Sequence, residues 1–131
     1  MSYLLDTQVF LWMQSTPDRI GARTRLLIDD AVTSLVLSAA SSWEIAIKHA
    51  LGKLPLPEPP DVYVPTRMSS SAVAALPIEH AHALRVAALE PHHRDPFDRM
   101  LVAQAQLEGL TFITADSVFD RYEVDIIDAG T

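Results

Sequence analysis

The chain has 131 residues, no cysteine, and a formal charge of −7 from 17 acidic and 10 basic side chains. Its length suits one compact domain, expected over residues 1–131, and an apolar content of 49% is too high for a disordered segment. The missing thiols exclude disulfides and thiolate metal sites, so any metal must be held by oxygen or imidazole, and the acidic balance argues against gripping nucleic acid through a basic face.

The first apolar run, Tyr3 to Leu5, reads as a buried strand ending at Asp6, and Ser34 to Ser38 reads as a second. Trp43, Ile47 and Leu51 recur four apart and predict a helix with one apolar stripe. Its start, Ser41-Ser42-Trp43-Glu44, matches the Ser-x-x-Glu capping box. The proline-rich stretch from Leu54 to Pro60 cannot continue that helix and predicts a loop inside one domain. A weaker strand candidate lies at Val73 to Leu76. Asp95 before Pro96 is a natural N-cap, and Phe97, Leu101 and Ala105 supply the apolar stripe of the helix that follows. Leu110 to Thr114 and Val124 to Ile127 predict the last two strands. Apolar strands alternating with helices imply a three-layer α/β/α sandwich around a central, mostly parallel sheet. No apolar run approaches the span of a membrane helix and no leader pattern opens the chain, so a cytoplasmic protein with no membrane partner is expected.

Four acids fall where such a sheet binds its ligands, in the crevice beyond the carboxyl ends of the strands. Asp6 closes the first strand, and Glu44 opens the helix after the second. Asp98 lies in the first turn from Pro96, and Asp116 follows the strand ending at Thr114. Taken singly, each has a capping explanation, because acids collect at helix N-termini. Taken together they need another, since like charges about 4 Å apart repel by ~1 to 4 kcal/mol each. A divalent cation relieves that repulsion, and oxygen donors suit Mg²⁺ or Mn²⁺. The same ion would place positive charge where a phosphate sits, which answers the objection raised by the net charge. A phosphatase of the aspartyl-phosphate type needs an acid two residues after the first, where this chain has Gln8. No P-loop or dinucleotide fingerprint is present.

Four segments in order carry a family resemblance. They are Tyr3-Leu4-Leu5-Asp6-Thr7, Ser42-Trp43-Glu44-Ile45-Ala46-Ile47-Lys48 with Gly52-Lys53-Leu54, Asp95-Pro96-Phe97-Asp98-Arg99-Met100-Leu101, and Ile113-Thr114-Ala115-Asp116. Over nearly the whole length the chain resembles the PIN-domain family, and within it the VapC-type toxins of toxin–antitoxin pairs. The resemblance implies a PIN-like fold and a metal-dependent endoribonuclease, with Asp6, Glu44, Asp98 and Asp116 as catalytic acids. Asp6, Asp98 and Asp116 correspond to ligands of Mg²⁺ or Mn²⁺. Thr114 corresponds to the hydroxyl residue beside the last acid, and it and Lys48 are the candidates for substrate binding. The implied partners are RNA, an antitoxin protein and a second copy of the chain in a homodimer. A structure-specific DNA nuclease and a non-catalytic partner-binding module are the alternatives.

Arg19, Arg23, Arg25, Lys53 and Arg99 are further candidates for gripping RNA, but surface cations are mostly solvated or weakly paired. Lys48 stands four residues after Glu44, the spacing of an intrahelical ion pair. His92 and His93 read as loop residues. Trp12, Met13, Tyr63 and Met68 read mainly as core, with any exposed part suiting a dimer contact or a groove for a partner helix.

Overall fold

The computed structural model describes residues 2–92 and 94–131, so His93 lies outside the described residues. One sheet of five parallel strands runs in the order β3-β2-β1-β4-β5. Its strands are β1 (Ser2–Leu5), β2 (Ser34–Ser38), β3 (Val73–Leu76), β4 (Thr111–Thr114) and β5 (Ile126–Asp128). The helices between them are α1 (Thr7–Ser15), α2 (Ala22–Asp29), α3 (Ala39–Ala50), α4 (Pro60–Ser70), α5 (His80–Arg85) and α6 (Pro96–Glu108).

Successive side chains of a strand point to opposite faces. Leu4 and Leu5 in β1, like Phe112 and Ile113 in β4, are all 0% exposed, so both faces of the sheet must be covered. Leu5 and Ile113 pack into one core with Val9, Phe10, Ile45 and Tyr63, drawn from α1, α3 and α4. Leu4 and Phe112 pack into a second core with Leu101 and Val102 of α6 and with Phe119. The three-layer α/β/α sandwich read from the sequence is the observed architecture.

Two expectations about α3 fail. The helix begins directly after β2, where the Ser38 hydroxyl accepts a hydrogen bond from the Ala40 N–H at 3.0 Å. Ser41 to Glu44 is therefore not a capping box, and Glu44 lies in the second turn. The apolar stripe also faces the wrong way: Trp43 is 60% and Leu51 64% exposed, whereas Ser41 and Glu44 are buried beside Ala40 and Ile45. The period of four located a helix but not its inward face, because two inward positions are polar. The last two strands also start later than the apolar runs, at Thr111 and Ile126. The Asp95 cap is present as read, its Oδ1 accepting from the N–H groups of Phe97 and Asp98 at 2.9 and 3.1 Å.

Two glycines have different structural reasons. Gly109 ends α6 in the left-handed region at φ 64°, and a Cβ there would meet nothing within 4 Å. Gly21 donates to the Ala129 carbonyl at 2.8 Å, and a Cβ on it would lie 2.3 Å from the backbone of Thr131 and 2.5 Å from the Gly130 oxygen. Gly109→Ala is expected to lose about 1 kcal/mol of stability, the conformational penalty alone. Gly21→Ala should lose clearly more, because rigid backbone must move to admit the methyl group. Urea unfolding of both variants beside the wild type checks the order.

Candidate active site

All five strands run the same way, so their carboxyl ends share one edge. From β1 the chain winds outward through β2 and β3 on one side, and through β4 and β5 on the other. The crevice between β1 and β4 is thus the switch point, the place where open α/β sheets bind ligands. Asp6 leaves β1 there, its N–H donating to the Ile113 carbonyl at 3.0 Å, and Asp116 follows β4 on the neighbouring strand end. Glu44 reaches the same place from α3, and Asp98 from the first turn of α6. The four expected acids line one cleft of about 650 Å³, together with Asp95. Lys48 and Lys53, the only lysines in the sequence, line it too.

Short contacts hold these groups in place. The buried Thr114 hydroxyl donates to Asp6 Oδ2 at 2.7 Å and accepts from the Asp116 N–H at 3.1 Å. The Thr7 hydroxyl donates to Ser41 Oγ at 2.8 Å and ties α1 to α3 beneath the site. Lys48 Nζ lies 2.6 Å from Glu44 Oε2, the intrahelical pair that the spacing suggested. Thr114 departs from its expected role: at 2% exposure it faces Asp6 and positions that carboxylate, rather than offering its hydroxyl to a substrate.

Capping accounts for part of this cluster only. Asp116 caps the short 3₁₀ turn after it, Oδ1 accepting from the Val118 N–H at 3.0 Å, and Asp95 caps α6. Asp6 stands at the N-cap position of α1 without a side-chain capping bond, and Glu44 is not at a helix start.

Burial lifts the Asp98 carboxyl to about 8, with like-charge repulsion from Asp95, Asp6, Glu44 and Asp116 added to it. Asp6 is lifted to about 6, again chiefly by burial; the Thr114 and Thr7 hydrogen bonds pull it down, and the Glu44 and Asp116 charges push it up. Lys48 is raised by its hydrogen bond to Glu44, with the charges of Glu44, Asp95 and Asp98 adding to this. Each group feels the others, so the acids act as one electrostatic unit. Among the described residues, no three or more His, Asp or Glu side chains already surround a single ion position. The donor set still suits Mg²⁺, which commonly takes one or two carboxylates and completes its shell with water and substrate phosphate.

The family model that matches is the PIN domain, over residues 3–125. The chain is a PIN domain. A relative named Ribonuclease VapC16, from Mycobacterium tuberculosis, is 52% identical to it over 59 residues, which are 45% of this chain and 42% of that protein. The matched stretch thus spans less than half the length of the curated relative. Among solved structures, the fold is similar to a chain of VapBC2 from Rickettsia felis, solved bound to a DNA fragment from its promoter. The TM-score is 0.74 with 15% identity, over 98% of each chain. It is also similar to a chain of VapBC-1 from nontypeable Haemophilus influenzae, with TM-score 0.69, 20% identity and complete coverage of both chains. At these identities the structural likeness establishes the PIN fold itself.

Other expected residues of this PIN domain fall in varied places. Lys53 lines the cleft, whereas Arg25 pairs with Asp18 at 3.3 Å on the exposed surface. The Arg99 guanidinium donates to the carbonyls of Val86 and Glu90 at 3.0 Å and so braces the segment before α6. His92 packs edge-on against Tyr122, with ring centroids 4.8 Å apart. Tyr63 is core, while Trp12, Met13 and Met68 are half-buried against it. The sequence reading missed Gln8 and Trp12 as cleft residues, although they stand four apart in the helix that follows Asp6, a spacing that puts both on one face of α1.

The raised carboxyl groups set a pH dependence. Both folded-state values lie above 3.8, so between about 4 and 8 the folded PIN domain holds protons that the unfolded chain has released. Stability from these groups is complete at low pH and is lost as pH rises through 6 and then 8. In chelator, Asp98→Asn should melt above the wild type at pH 8, with the difference shrinking towards zero near pH 4. Thermal melts across that range check the sign.

Proposed function

We propose that this PIN domain is an Mg²⁺- or Mn²⁺-dependent endoribonuclease, the toxin of a toxin–antitoxin pair. The observation that carries the reading is the convergence of Asp6, Glu44, Asp98 and Asp116 with both lysines in one cleft at the switch point of the sheet. Burial, with repulsion from the neighbouring acids added to it, raises the pKa of two of these carboxyls, Asp6 and Asp98, and a cation would offset both effects. The stretch 52% identical to a protein named as a ribonuclease supports RNA as substrate.

In this reading Asp6 and Asp98 hold the ion, Asp116 completes the site, and Glu44 acts directly or through water. The ion supplies Lewis acidity, lowering the pKa of the attacking water and offsetting charge on the scissile phosphate. The protein does the positioning. Thr114 fixes the Asp6 carboxylate through its hydroxyl. Lys48, half-exposed at the cleft wall, can turn from Glu44 to a phosphate oxygen as RNA enters. Asp98, retaining its proton near neutral pH, must release it when the cation binds.

Incubation of the purified protein with total RNA is expected to yield discrete cuts with Mn²⁺ or Mg²⁺ and none in chelator. Asp6→Asn should lower the rate at least about a hundredfold while keeping the circular dichroism of the wild type. Either ion should raise the melting temperature by mass action, and amide replacement of all four acids should remove that response. Cleavage of structured DNA in place of RNA would transfer the reading to a DNA nuclease.

The antitoxin and homodimer belong to the same proposal. Trp43 is 60% exposed on α3 and meets Phe97 of α6 edge-on at 5.2 Å, with Leu51, directly after the end of α3, a further exposed apolar side chain. Exposed apolar surface of this kind marks a contact between proteins and supports a second copy as its occupant. Trp43→Asp is expected to shift the chain towards monomer in sedimentation, with its fold retained.

A further inference from the structure

The acidic cleft does not end at its acids. A second groove of about 320 Å³ adjoins it, and Gln8, Leu11, Trp12 and Leu54 line both, so the two are one continuous channel. The residues from α1 are set by helical period: 8, 11, 12 and 15 fall on one face, while Val9 and Phe10 turn into the core. Tyr63 stands on the other wall with the segment 54–57. Trp12 is half-buried, so its indole is held by packing yet open to the channel. Arg19 lines the part beyond the cleft, its guanidinium 5.9 Å from the centre of the Trp12 ring. Gln8 is exposed and carries both a donor and an acceptor.

This combination of cations, an aromatic ring and a carboxamide suits a single nucleic-acid strand. Cations stand at both ends of the channel, Lys48 and Lys53 in the cleft and Arg19 beyond it, in a chain whose net charge is −7. Between them lie an aromatic face and a carboxamide. Unpaired bases are recognised by stacking on aromatic rings and by hydrogen bonds to their edges, whereas phosphates are met by cations. We propose that Gln8 and Trp12 form a nucleobase subsite beside the acid cluster. There a base flanking the cut phosphate stacks on Trp12, its edge meets the Gln8 amide, and the next phosphate meets Arg19. The proposal rests on the ribonuclease reading and extends it: an acidic protein selects its RNA through one stacked and read base, not through bulk charge.

The sequence has two tryptophans, so Trp43→Phe leaves Trp12 as the sole indole. The full chain carrying that change is titrated with a fluorescently end-labelled single-stranded oligoribonucleotide in Ca²⁺, with label anisotropy reporting binding and indole emission reporting stacking. Saturable quenching that tracks the anisotropy is expected. Trp12→Leu should weaken binding about tenfold, in the range seen when a stacking aromatic is removed. Gln8→Ala, at an exposed position, should keep the melting temperature and change which sequences are cut in Mn²⁺. Binding without quenching overturns the subsite and leaves the ribonuclease reading standing. Quenching without any RNA cleavage by the wild type overturns the ribonuclease reading and keeps the subsite. An unchanged cut pattern and RNA affinity in both variants would reserve the channel for a protein segment and overturn the proposal.

Discussion

The structure turns on one electrostatic constraint: carboxylates crowded at the shared end of parallel strands. A sheet in which every strand runs the same way brings all its carboxyl ends to one edge, and the switch between β1 and β4 opens a crevice there. Asp6 and Asp116 leave neighbouring strands at that crevice, and α3 and α6 aim Glu44 and Asp98 into it. The acids cannot spread apart to relieve their repulsion, because the elements that carry them are fixed by two dry cores. Leu4 and Leu5 of β1, which precede Asp6, and Phe112 and Ile113 of β4, a few residues before Asp116, are all wholly buried. Burial of these carboxyls, with the repulsion that the backbone cannot relax added to it, is expressed as raised pKa values.

The same anchoring gives the site its precision. Its groups stand on strand ends and helices, elements whose positions are set by packing, and this suits chemistry that depends on placing a phosphate accurately. Hydroxyl groups do the fine adjustment. Thr114 links Asp6 to the Asp116 backbone, and Thr7 links α1 to α3 through Ser41. These hydroxyls are buried and hydrogen-bonded, so they lock geometry without adding to the negative charge.

Charge is distributed with economy. Ten basic side chains face seventeen acidic ones, yet both lysines line the cleft. The pair of Lys48 with Glu44 has the ordinary spacing of a helix-stabilising salt bridge, and most such pairs at surfaces contribute little. Here the carboxylate is buried and the ammonium half-exposed, so the pair gives the buried Glu44 a partner while leaving the cation within reach of the cleft. A stabilising and a substrate-directed role are compatible in one contact.

How much of this was legible depended on the range of the interaction concerned. Apolar runs alternating with helical periods determined the layered α/β class, because burial on both faces of a parallel sheet demands continuous apolar strands. The Asp95-Pro96 cap was likewise readable, since capping is settled within four residues. The four acids were visible as residues, and their order along the chain carried the PIN resemblance. Only the tertiary structure decided how they meet. It set Glu44 in the second turn of α3 by starting the helix at Ala39, turned Trp43 outward, and buried Thr114 against Asp6. It also joined the Gln8–Trp12 face of α1 to the cleft, through a wall formed by residues some forty positions away, beginning at Leu54. Local sequence specifies an element through its period and caps. The choice of inward face, and of the groups that share a cavity, follows from burial summed over distant segments, which no window of the sequence contains.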